Sequence, residues 1–174
     1  MATNNAVNTS LSGQTGTGTF VGATSPTIGT LIINGFTNGS SAGTGVVGEI
    51  LSSSFASSVS ISSNSATNIQ SLSLTAGDWD VWAVYVSAPA GSTIQSYALA
   101  CLNLSSGSVP GPSSVATASL GSCGLLPAGN IASVQTGIYP LSVNTTTSIY
   151  LNAYTIYSVS TLTGGGIIIA RRRR

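Results

Sequence analysis

A chain with almost no charged side chains has few ways to stay folded and soluble, and this one has almost none. Its 174 residues include four basic residues, three acidic residues and no histidine. Charged residues make up 4% of the chain, against about 25% in an ordinary globular domain. The four basic residues are consecutive: Arg171, Arg172, Arg173 and Arg174. The acids are Glu49, Asp78 and Asp80. Hydrophobic residues supply 42% of the chain, enough for a core. The polar remainder is mostly Ser, Thr, Asn and Gly, which hydrate without charge, and Thr also suits strands. A net charge of +1 leaves little repulsion between copies, so self-association is expected.

The apolar runs are short and separated by Gly, Ser, Asn and Pro. They lie at Thr30–Phe36, Val46–Leu51, Phe55–Ser62, Ile69–Leu74, Gly77–Val86, Ile94–Leu104, Ser148–Val159 and Gly166–Ala170. Several alternate with a period of two, the signature of half-buried strands. In Ile69–Leu74 the first residue is out of phase with Leu72 and Leu74. Gly77–Val86 is apolar on both faces, as expected of a covered strand. In such a run Trp79 and Trp82 are expected in the core. No segment reads as a helix. The fold expected is all-β, an antiparallel β-sandwich over residues 28–174. Residues 1–27 are low in complexity and read as an extended arm ending near Pro26. A long loop is expected from Ser105 to Gly129. Almost no charge blunts the strand edges, which in a lone chain invites aggregation and in an oligomer becomes interface.

The same composition excludes most chemistry. Without His or Lys, no Ser-His-Asp triad or Ser-Lys dyad can form. Asp78 and Asp80 share one face of a strand, but paired carboxylates act on glycosides only at a defined separation with one pKa raised. Turn capping and pairing with the terminal arginines is the plainer role for them. No phosphate-binding glycine motif is present, no metal-ligand spacing involves Cys101 and Cys123, and no cofactor is expected. The chain reads as a non-enzyme. The two cysteines are either a buried thiol plus a loop thiol, or a disulfide across the intervening excursion. No run approaches the ~20 apolar residues of a membrane span, so no membrane insertion is expected. No signal peptide is visible, and synthesis in a cytosol is expected. The arginine run follows an apolar strand, so alternate arginines face opposite sides of a sheet. Glu49, Asp78, Asp80 and Arg171–Arg174 are the candidate contacts between subunits or with a partner, arginine pairing with carboxylate through a planar fork.

Two segments, the second of them split in the sequence, carry a resemblance. Thr15-Gly16-Thr17-Gly18-Thr19-Phe20-Val21-Gly22-Ala23-Thr24-Ser25-Pro26-Thr27 resembles the linker before the C-terminal module of phage and prophage tail-fibre proteins. Ser73-Leu74-Thr75-Ala76-Gly77-Asp78-Trp79-Asp80-Val81 resembles a strand of that module, and Ile169-Ala170-Arg171-Arg172-Arg173-Arg174 resembles its basic end. The resemblance implies a homotrimeric β-sandwich on the outside of a bacteriophage virion, assembled in the bacterial cytoplasm. It implies a short fibre or tail appendage that contacts the host, with capsid decoration as the alternative. Residues 1–27, with Phe20, Val21 and Pro26, would attach to another virion protein. A host-surface glycan is a further candidate partner, met by the loops Ser87–Thr93 and Ser105–Gly129. Nucleic acid is not an expected partner.

Overall fold

The computed structural model describes residues 40–109 and 120–174, with only the backbone of Leu120–Cys123. The chain divides into Met1–Gly35 and Phe36–Arg174. The first unit lies wholly outside the described residues, and with it Phe20, Val21, Pro26 and the run Thr30–Gly35.

The described residues form ten strands and no helix: β1 (Ile50–Ser52), β2 (Ala56–Ile61), β3 (Ser65–Leu74), β4 (Gly77–Pro89), β5 (Ile94–Asn103), β6 (Leu120–Cys123), β7 (Ser133–Gln135), β8 (Tyr139–Val143), β9 (Thr147–Ser158) and β10 (Leu162–Arg172). All pairings are antiparallel. One sheet has the order β1-β10-β4-β7, with β2 following β1 along β10 and β8 following β7 along β4. The other has the order β3-β9-β5-β6. The two sheets share one core, from Trp79, Val81 and Tyr85 of the first to Leu102, Ile149 and Leu151 of the second. This is an antiparallel β-sandwich, and its strand order is that of a jelly roll, two interleaved Greek keys.

The last strand sits in the middle of its sheet. β10 pairs along its whole length with β4, from Leu162 opposite Pro89 to Arg172 opposite Trp79. Its inward residues, Leu162, Ile168 and Ala170, are fully buried. Between them lie Gly164, Gly165 and Gly166. A Cβ on Gly165 would stand 2.2 Å from the backbone oxygen of Ala56, so β2 can approach only because no side chain is there. The β2 register also shifts between Gly164 and Gly166.

Phase breaks in the sequence are bulges in the structure. The β3–β9 register shifts between Asn68 and Gln70, so Ile69 and Leu74 both reach the core although their spacing is odd. A similar shift between Gln95 and Tyr97 turns both Gln95 and Ala98 inward. An extra residue on one strand reverses the in-out alternation beyond it.

Several expectations need correction. The excursion from Ser105 to Gly129 is not all loop, because its described part contains β6, and Leu126 bridges to Gln95. β8 contains Pro140, tolerated because β8 has a single neighbour and needs no second row of donors. Trp79 is fully buried, but Trp82 lies on the other parity of β4 and faces outward, half-buried. Cys101 is a free buried thiol, as the first of the two cysteine readings expects. It pairs with Leu120 while Cys123 pairs with Ala98. That offset of three residues is about 10 Å along a strand, beyond the reach of a disulfide.

Replacing Gly165 with Ala should lower stability by about 2 kcal/mol, the scale of an overpacked site. Urea unfolding should show the midpoint falling with an unchanged slope; an unchanged midpoint would contradict the close approach of β2.

Candidate functional site

The charged residues of the chain meet at one end of the sandwich. β10 carries the arginines there, β4 begins there with Gly77, Asp78, Trp79 and Asp80, and the segment leading into β1 brings Glu49. Pairing continues past the apolar part of β10. Gly48 N donates to Arg172 O, Arg172 N to Glu49 O, and Arg173 N to Asp78 O.

Alternation gives neighbouring arginines different surroundings. Arg172 has the inward parity of Ile168 and Ala170 and is 4% exposed. Its Nε donates to Glu49 Oε2 at 2.8 Å, and Glu49 is itself 3% exposed. Its Nη1 donates to Ala76 O and its Nη2 to Thr75 Oγ1. Its guanidinium carbon lies 4.3 Å from the centroid of the Trp79 ring. The indole Nε1 donates to Thr75 O, which fixes the ring. Gly77 has φ of +143°, and a Cβ there would meet Arg172 Nη1 at 1.9 Å. The Gly-Asp-Trp-Asp segment is therefore shaped around this guanidinium. A buried charge is costly unless paired and hydrogen-bonded, and here all three guanidinium nitrogens have acceptors.

The other two arginine–carboxylate pairs are more exposed and weaker. Arg173 Nε lies 3.3 Å from Asp80 Oδ1, and Arg174 Nε pairs with Asp78 Oδ2. Exposed pairs of this kind are screened by solvent and contribute little. Every acid of the chain is thus paired with an arginine of the same chain. Among the described residues Arg171 has no carboxylate of its own, and it is exposed opposite Asp80 and Ile50. Asp78 and Asp80 share the outward face of β4.

Burial pushes the Glu49 carboxyl up, but the Gly45 amide and the Arg172 guanidinium outweigh it and hold it below the usual range. The Ser142 hydroxyl, and after it Arg174, hold Asp78 low as well. Neither carboxyl is poised as an acid at neutral pH. Burial pushes the Cys101 thiol up to about 12, so it is protonated and a poor nucleophile. Among the described residues no three His, Cys, Asp or Glu side chains gather to hold a metal, and no helix is long and apolar enough to cross a membrane.

The opposite end is built from the β2–β3, β4–β5, β6–β7 and β9–β10 connections. Gln95 Nε2 donates to Ser87 Oγ and Asn130 O, and Ser87 Oγ accepts from Ala132 N. Thr161 O accepts from Ala90 N and Thr93 Oγ1. These bonds tie three connections together beneath exposed Leu125, Ile131 and Val159. Sequence reasoning named part of this end, Ser87–Thr93, but not the buried Gln95 that organises it; a polar residue opening an apolar strand was its visible signal.

No family model matches the chain, and no curated protein matches it. A chain in a solved structure of infectious bursal disease virus, Gx strain, is similar over 72% of this chain, with a TM-score of 0.45 and 15% identity. The match covers 32% of that chain, so this protein spans about a third of its length.

Two outcomes test the site. Glu49→Gln leaves Arg172 buried without a counter-charge and should cost about 3 kcal/mol in urea unfolding; the double variant Glu49→Leu, Arg172→Met should recover part of that loss. A Glu49→Gln protein as stable as the wild type would remove the pair from the account. The second outcome concerns pH. Glu49 and Asp78 have lowered folded-state pKa values, so their contribution is present at neutral pH and is lost as pH falls through those values. The melting temperature should hold from neutrality to about pH 5 and fall below about pH 4, with a smaller fall in Glu49→Gln.

Proposed function

We propose that this chain is a structural protein of a bacteriophage virion, a short homotrimeric fibre or tail appendage whose free end contacts the host surface. The observation that carries the reading joins two segments far apart in sequence. The Ser73–Val81 segment and the Ile169–Arg174 ending both resemble the tail-fibre module. They lie side by side in the fold, Arg172 opposite Trp79 and Arg171 opposite Asp80. A shared lock between them gives a physical reason for the two motifs to occur together. The jelly-roll strand order, common in the protein shells of viruses, agrees with a virion role, although fold alone does not assign one.

Attachment to another virion protein falls to residues 1–27, including Phe20, Val21 and Pro26, which lie outside the described residues. Contact with a host glycan falls to the connections around Gln95. Their surface is neutral, with exposed Leu125, Ile131 and Val159, so binding should depend little on salt.

Cryo-electron microscopy of purified particles tests the reading. Density at the tail, with residues 44–174 pointing outward, is the expected result. Density on the capsid would replace the appendage with a decoration protein. A variant lacking residues 2–26 should fold and associate normally yet be missing from particles; normal incorporation would remove the arm from attachment.

A further inference from the structure

We infer that the outer face of the β10–β4 sheet is the surface by which copies of this chain pack against one another. The inference rests on the trimer reading above and names the face that makes the trimer. In an antiparallel ladder, opposite residues point to the same side. The outward partners here are Ile169 with Trp82, Ile167 with Val84, and Gly165 with Val86. The Phe55 ring reaches over Gly165 and is 54% exposed. These residues form an apolar patch across the two central strands of the sheet. Its borders are mostly polar: Ser52 and Ser60 along β1 and β2, Ser133 and Gln135 along β7, with exposed Ile50 beside Arg171 at one corner. An apolar, aromatic centre with a polar rim is the anatomy of a protein interface.

The outer face of the other sheet shows that this is not a general property of the chain. There the outward residues include Ser71, Ser73, Tyr150 and Tyr154, which hydrate well. Part of that face is already occupied by its own loop. Asn152, fully buried, donates from Nδ2 to Ser105 O and Ser108 O and accepts from Gly107 N.

Charge and area select a second copy as the occupant. The three acids already hold Arg172, Arg173 and Arg174. A polyanion arriving at this face would find one surplus cation, Arg171, at its rim. A copy of the chain brings a matching apolar centre and nearly no net charge. At ~3.3 Å per residue and ~4.8 Å between strands, the eleven residues of β10 and the strand on each side of it span a face of about 500 Å². One side of a stable interface is about 800 Å². The face is therefore large enough to supply most of one contact in an assembly.

Ile167→Glu and Val84→Glu place a charge on this face without entering the core. Light scattering after size exclusion should give a trimer for the wild type and a monomer for each variant, with unchanged circular dichroism. A wild-type trimer whose folded variants remain trimers overturns the face while leaving the trimer standing. A wild-type monomer overturns the trimer reading itself. Acrylamide quenching of the wild type gives a second readout that needs no substitution. Trp79 is fully buried, so quenchable emission reports on Trp82. Shielded emission in the trimer supports the inference, and freely quenched emission in the trimer overturns it. A monomer with Trp82 shielded would mean that the chain covers the face with its own residues, and would also overturn it.

Discussion

The contact on which this structure depends is the guanidinium of Arg172 between Glu49 and the ring of Trp79. It closes one end of a core that otherwise contains no charge. Without it the end of β10 would carry a buried cation with no counter-charge. With it, the final strand is held to the strand on each side, β1 through Glu49 and β4 through Trp79. β10 is central in its sheet and pairs with three other strands. The fold therefore closes only when the last residues of the chain have found their places. Most of these pairings are far apart in sequence, as in other sandwiches, so slow folding is the natural consequence.

The same contact governs the surface. Three arginines hold the three acids, so the charges of the chain are largely neutralised within it. What remains outside is one surplus arginine, a wide supply of hydroxyl and amide groups, and an apolar face on one sheet. Among the described residues the charges are largely satisfied within the chain, while the outer face of the β10–β4 sheet is apolar. The proposed structural role agrees with that division.

Much of the fold was legible in the sequence. Period-two runs located β2, β3, β5 and β9, and continuous apolar runs located β4 and the middle of β10. The odd spacing of Ile69 was visible too, although its meaning as a bulge required the partner strand. β6, β7 and β8 were harder to see. Each is short, β7 has a single buried residue, and Pro140 in β8 argues locally against a strand. The site was legible by composition: seven charged residues are few enough that each stands out. Which arginine meets which acid was not legible, since it depends on the registers of β10 against β1 and β4. The parity that sends Arg172 inward and Trp82 outward is fixed by the same registers. Phe20, Val21 and Pro26 lie outside the described residues, and their role in attachment stands on the sequence alone.

The central claim is that the charges of this chain serve its own fold and that copies associate through an apolar face. Sedimentation velocity of the full-length protein at low salt and at about 1 M salt tests it most directly, because the Debye length shrinks to about 3 Å over that range. The account expects a trimer whose sedimentation is the same at both concentrations. Dissociation on raising the salt would show that exposed charges hold the copies together and would contradict it.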